Sequence, residues 1–338
     1  MGFAIAVSVL VFSGSTGVLF ASNKVIRLKF GHHLPSVVIQ AKTLVEYAER
    51  VKKATNGRVD ITVYGDGSLL RMEDCLSSVE SGIADIGFVA FAYETTRLGL
   101  NNVMNNVTVN IPTPKDGREI WDQLLAKFPE MREELKGYKF LVRAINTVGI
   151  NDILTTDKIV RVPDDLKGMK IIATGESAKW IKESGASPLS LGSPDWYMSL
   201  ERKLGDGVFA PVTVVDSRGC LELTPNITRL SLGRGTYGVI MNLKKWNSLP
   251  DDIKNQIEEV NAWLTERYPQ TGAEAFLEAD AKSKKNGTLI YYPNPEEKKL
   301  WRKLGEKSTA EWIEKMESMD KPGKAVFTEL KRLTSKFE

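Results

Sequence analysis

The stretch IRLKFGHHLPSVVIQAKTLVEYAERVKKATNGRVDITVYGDGSLLRMEDCLSSVESGIADIGFVA, residues 26–90, decides the fold. Residues 26–30 form a short β-prone run, closed by Gly31-His32-His33-Leu34-Pro35. Over 37–54, Val38, Ala41, Leu44, Val45, Ala48 and Val51 recur at the spacing of one helix face, and Asn56-Gly57 ends the helix. Residues 59–64 alternate as a strand does, Gly65-Asp66-Gly67 turns the chain, 71–80 is helical, and 83–90 is an almost wholly apolar strand. The order is βαβαβ, which predicts a mainly parallel sheet with helices on both faces.

Working outward, a second series of the same kind follows. Residues 115–135 read as an amphipathic helix, 138–145 and 169–173 as strands, and 177–184 as a helix. A strand at 188–191, a helix at 195–204 and a strand at 207–210 complete it. Residues 250–282 read as one long helix, with Pro269 as its candidate break, and at about 1.5 Å per residue such a helix is long enough to serve both units. The tail, 295–337, is helical and charge-rich. The expected class is α/β in two lobes, mixed sheets flanked by helices, with the long helix bridging them.

The 338 residues are enough for two domains with cores of their own. Lys and Arg (46) against Asp and Glu (43) leave +3, too small and too evenly spread for a phosphate-tracking surface, so nucleic acid is excluded as a partner. Cys75 and Cys220 lie far apart without a CxxC, and the only histidines are the neighbours His32 and His33, so a structural metal cluster is excluded as well. Residues 1–22 carry no charge and hold an apolar run at 4–12, too short to span a membrane. They are expected to be a signal peptide, although no Lys or Arg precedes the run, and the mature protein is expected to be periplasmic.

Several motifs fail on their context. Gly233-Arg234-Gly235-Thr236-Tyr237-Gly238 fits the letters GxGxxG, yet a strand (Val239-Ile240-Met241) follows where a dinucleotide fold needs a helix. The adjacent His32 and His33 point to opposite faces of an extended segment, so at most one faces a given site. His33 stands at the C-terminal end of the first strand, where open α/β sheets bind ligands. No catalytic motif is found, and no cofactor is expected.

The order of segments resembles the DctP-type solute-binding proteins of TRAP transporters. Residues 26–31 are similar to the family's opening strand, Thr55-Asn56-Gly57-Arg58-Val59 to its TxGxV turn, and Val79-Glu80-Ser81-Gly82-Ile83-Ala84-Asp85 to its GxxD segment. Asp165-Leu166-Lys167-Gly168-Met169-Lys170-Ile171 matches its DLKGxKI motif, and Trp246-Asn247-Ser248-Leu249-Pro250 follows in the expected order. The resemblance implies two lobes that close on a small-molecule ligand by a hinge, membrane subunits of a TRAP transporter as partners, a monomer, and no catalysis. On this basis lobe I is expected to hold 23–149 plus about 238–277, and lobe II 150–237 plus about 278–338, with the hinge near 145–151 and Thr236.

One departure bears on the ligand. Most members carry an arginine after the DLKGxKI run, whose planar fork holds a ligand carboxylate; here that residue is Ile172. By the same alignment Asp152 and Tyr93 replace two further arginines, Glu176 a small residue, and Ala210 and His33 two asparagines. The expected ligand-binding set is His33, Phe91, Tyr93, Asp152, Ile172, Glu176, Ser193, Phe209, Ala210, Arg234 and Tyr237. Arginines lost and acids gained beside aromatic rings reverse the sign of the site, so the leading expectation is an amine or zwitterion. The alternatives are an organic acid on a relocated arginine, Arg143 or Arg234, a metal-bridged anion, or a secreted α/β enzyme.

Overall fold

The computed structural model describes residues 25–145, 151–233 and 235–337. Eleven strands follow along these residues. They are β1 (Ile26–Gly31), β2 (Val59–Tyr64), β3 (Ile86–Ala90), β4 (Tyr138–Ile145), β5 (Asn151–Thr155), β6 (Lys170–Ile172), β7 (Ser187–Leu189), β8 (Gly207–Pro211), β9 (Asn226–Leu232), β10 (Thr236–Asn242) and β11 (Leu289–Tyr291). They form two sheets, in the orders β2-β1-β3-β10-β4 and β11-β9-β5-β8-β6-β7.

The first sheet grows from the opening stretch. β1 pairs parallel with β2 and β3, and β3 is buried at every residue, as its unbroken apolar run requires. The helix Ile39–Ala54 buries Ala41, Leu44, Ala48 and Val51 in one core with Leu28 and Phe30 of β1 and Val59 and Ile61 of β2. It ends where Asn56 and Gly57 take positive φ and Gly57 N–H closes on the Lys52 carbonyl at 2.8 Å.

Both sheets are mixed rather than mainly parallel, because β10 runs antiparallel to β3 and β4, and β5 antiparallel to β8 and β9. Each reversed strand is the first after a crossing between lobes, β4 to β5 and β9 to β10, so it enters its new sheet from the crossover side. At the second crossing Gly233 has φ +61°, and a Cβ there would lie 2.8 Å from the Asn105 carbonyl oxygen. That close approach, followed directly by a strand, is what the GxGxxG letters encode here.

Three helical expectations change in detail. Residues 115–135 split into Pro114–Lys127 and Pro129–Glu133, because Pro129 has no N–H to continue the first helix. The long helix runs from Asp251 to Lys285 without ending at Pro269. Its first half packs Ile257, Val260 and Leu264 against the first lobe, where Tyr47 Oη donates to Asn261 Oδ1 at 2.9 Å. Its second half places Ala279 in the core of the second. The tail does not belong to the second lobe throughout. In the helix Pro295–Glu317, Trp301 packs on Trp180 of the second lobe at 5.4 Å, whereas Trp312 and Met316 join Trp121 in the core of the first. Val326 and Leu330 of the last helix, Gly323–Thr334, pack there too, since their apolar face meets the helix Pro114–Lys127.

Candidate functional site

A cleft with about 1290 Å³ of empty volume, open solvent included, lies between the lobes. The first lobe lines it with His33 beyond β1, Tyr93 in the turn after β3, Asn102, Asn105, and Tyr237 on β10. The second lines it with Ala173 and Thr174 beyond β6, Phe209 and Ala210 on β8, Ser193, and Arg218 beyond the helix Val212–Ser217. Most of these stand at carboxyl ends of parallel strands, where side chains project past the sheet and into a crevice.

Rings make up much of the surface. Tyr237 stacks on Phe88 with centroids 5.6 Å apart and 20° between planes, and Phe88 carries the His33 ring at 5.5 Å. Phe209 lies 4.7 Å from Trp180. Tyr93 and Thr174 line the cleft from opposite lobes. Burial raises both cleft phenols, Tyr93 and Tyr237, above the usual tyrosine range, so they act as neutral hydrogen-bonding groups.

The charge of the cleft is set by Arg218. It is partly buried, its Nε–H finds no acceptor, and among the described residues no carboxylate lines the cleft beside it. Burial pulls its pKa below the ordinary arginine value, while Asp66 works in the opposite direction; it remains a cation at neutral pH. Opposite stands His33, whose pKa burial pushes down to about 3, helped by His32 and by Arg218 itself. His33 is therefore neutral, and its Nδ1 has no partner. His32 turns the other way, buried beside Gly65, so the adjacent histidines do face opposite sides.

His33, Tyr93, Ser193, Phe209, Ala210 and Tyr237 of the expected set thus meet in one cleft. Asp152 does not. Side chains alternate along β5, and with Ile153 on one face of the sheet and Leu154 on the other, Asp152 shares the Leu154 face. There it accepts from Arg229 Nη1 at 2.7 Å, both side chains buried, and Arg229 Nη2 reaches Asp280 of the long helix at 2.7 Å. Ile172 lies on that same face, fully buried against Leu200 and Val208, so it is core and not the floor of the cleft. Phe91 is also core, edge-on to Trp121 at 5.7 Å, because the turn after β3 directs it under the sheet. Arg234 and the side chains of Arg143 and Glu176 lie outside the described residues.

Sequence reading missed Arg218, Thr174, Asn102 and Asn105. Thr174 had a signal, since it directly follows the expected strand 169–173, the same strand-end position that singled out His33; Arg218 lies past an intervening helix and had none. Among the described residues no group of three or more His, Cys, Asp or Glu could hold a metal ion, and Cys75 and Cys220 are buried and free in different cores. No helix of the described residues is long and apolar enough to cross a membrane.

Comparison with known proteins agrees with this architecture. The chain is 22% identical over 293 residues to the C4-dicarboxylate-binding periplasmic protein DctP of Rhodobacter capsulatus, covering 82% of this chain and 83% of that protein. It is 22% identical over 298 residues to the sialic acid-binding periplasmic protein SiaP of Vibrio cholerae, covering 86% and 89%. A marine metagenome TRAP solute binding protein specific for aromatic acid ligands, in complex with metahydroxyphenylacetate, superposes with a TM-score of 0.82 at 22% identity over 93% of this chain and 99% of that one. A TRAP periplasmic solute binding protein of Sulfurospirillum deleyianum with bound succinate superposes at 0.77, with 20% identity over 91% and 99%. The family model for bacterial extracellular solute-binding proteins, family 7 (DctP), matches residues 30–315. The chain belongs to that family and is a TRAP-type solute receptor rather than an enzyme.

Proposed function

We propose that this receptor is exported and binds a small organic acid with a flat, apolar body, its carboxylate held by Arg218, and delivers it to the membrane subunits of a TRAP transporter. The observation that carries the reading is Arg218, a cation in the cleft with a free Nε–H and no lining carboxylate among the described residues. A guanidinium presents a planar fork of donors to a carboxylate, and partial exclusion of water strengthens the pair. Phe209, Trp196, Val38 and Tyr237 offer apolar surface to the rest of the ligand.

The amine expectation loses its main support, because Asp152 is neutralised by Arg229 within the second lobe. The relocated arginine of the organic-acid alternative is then Arg218, in place of Arg143 or Arg234. The names of similar proteins point the same way, toward aromatic acids, succinate and glucuronate. A thermal-shift screen of the mature protein over amines, monocarboxylates and dicarboxylates tests the reading, since a ligand that binds only the folded state raises the melting temperature. Acids should raise it and simple amines should not. Stabilisation by amines alone would overturn the proposal.

A further inference from the structure

Past Asn102, Asn105 and Ser177, which line both spaces, the cleft continues into a side chamber. The chamber lies between the turn Asn101–Asn105 of the first lobe, the helix Glu176–Glu183 of the second and the helix Pro295–Glu317. It shares no residue with the Arg218 and His33 side of the cleft. Trp180 forms one wall, wholly buried, and its indole N–H has no acceptor. Buried N–H groups are almost always paired, so this one calls for an occupant that accepts a hydrogen bond.

The other walls suit a neutral group. Ser308 Oγ donates to the Gly305 carbonyl at 3.1 Å and keeps lone pairs free. Asn105 Nδ2 donates to Asn102 Oδ1 at 2.6 Å, which leaves Asn105 Oδ1 as an acceptor. Among the described residues none of the lining side chains is charged. A second carboxylate would lose its hydration there with no cation in return, whereas a hydroxyl can accept from Trp180 and donate to Asn105.

We infer that the chamber is a second subsite for the same ligand, taking a neutral hydroxyl, so that the receptor selects hydroxylated monocarboxylates over dicarboxylates and over unsubstituted acids. This rests on the reading that Arg218 holds the carboxylate. A site that hydrogen-bonds a ligand hydroxyl discriminates against the analogue lacking it, because its own buried donor is then left unpaired.

Calorimetry with two matched pairs, benzoate with 3-hydroxybenzoate and phenylacetate with 3-hydroxyphenylacetate, tests this on the mature protein and on Trp180→Phe, which keeps a ring and removes the N–H. In at least one pair the hydroxylated acid should bind about tenfold or more tighter to the native protein, and in the variant that ratio should fall to about two or less while the parent acid is unchanged. Ser308→Val, which fills the chamber from the helix Pro295–Glu317 and does not line the main cleft, should do the same if Trp180→Phe fails to fold. A ratio near one in the native protein, or a ratio both variants preserve, overturns the inference. Arg218→Ala separates it from the reading beneath it. That variant should weaken both members of a pair equally; unchanged affinities would overturn the role of Arg218 while the ratio still judges the chamber. Binding of no acid in either pair overturns the inference as well.

Discussion

Arg229 and Arg218 stand eleven positions apart in the same lobe and each keeps an Nε–H without an acceptor, yet the acids around them differ. Arg229 is buried and saturated at its two terminal nitrogens by Asp152 and Asp280, with Lys284 2.7 Å from Asp280 to balance the second acid. Burial works against its charge, but the two aspartates outweigh that and hold its pKa above the ordinary value. At Arg218 burial outweighs the opposing pull of Asp66, and the pKa moves down. The first arrangement completes itself on folding and ties β5, β9 and the long helix together. The second is completed only by something that enters the cleft. An unsatisfied cation at a crevice is a binding device; a satisfied one in a core is a structural one.

The contrast is broken most directly at Arg229. Arg229→Met takes the cation away from the buried Asp152, while Asp280 keeps Lys284, and should destabilise the protein by roughly 3 to 5 kcal/mol in denaturant titrations. The folded fraction should bind ligand as before, and an unchanged midpoint with lost binding would invert the assignment. Arg218→Ala should do the opposite. It removes one half of a ligand–receptor charge pair, worth roughly 2 to 5 kcal/mol, so the dissociation constant for the best acid in the screen should rise about 30-fold or more. Stability without ligand should stay within about 0.5 kcal/mol, as the Arg218 side chain is only partly buried and its Nε–H has no acceptor to lose.

Asp152→Asn sharpens the comparison, since sequence alone placed this residue in the binding site. It weakens one charged hydrogen bond while Asp280 keeps hold of Arg229, so about 1 to 3 kcal/mol of stability should go and affinity should change less than twofold. A large loss of affinity with native stability would return Asp152 to the cleft.

The last effect is spread over pH and concerns the neutral His33 opposite Arg218. His33 titrates near 6.5 when unfolded but only at about 3 in the fold, so between those values the unfolded chain binds the extra proton. His33 therefore costs the native state nothing above pH 6.5, and stability should fall as pH drops below it, by at most about 1.4 kcal/mol per pH unit from this residue. His33→Asn should flatten that part of the pH–stability curve. An unchanged slope would mean that the ring charges freely in the folded protein.

The sequence by itself determined the class of the fold, the alternation of helices and strands, and the family, because these rest on local periodicity and on motifs that lie close together along the chain. The Asn56-Gly57 stop and the placement of His33 at a strand end both follow from neighbours within a few residues. What only the tertiary structure decided was which face each side chain serves. Asp152 shifts from binding site to core by the parity of a strand that no local pattern announced, and its partner Arg229 comes from a strand 77 positions away. Ile172 follows the same parity. The reversed directions of β5 and β10 and the division of the tail between lobes depend on where the chain crosses, which is set by packing between distant segments. The sign of the cleft was decided there too, since a charge counts in a site only after its partners elsewhere in the fold have been found.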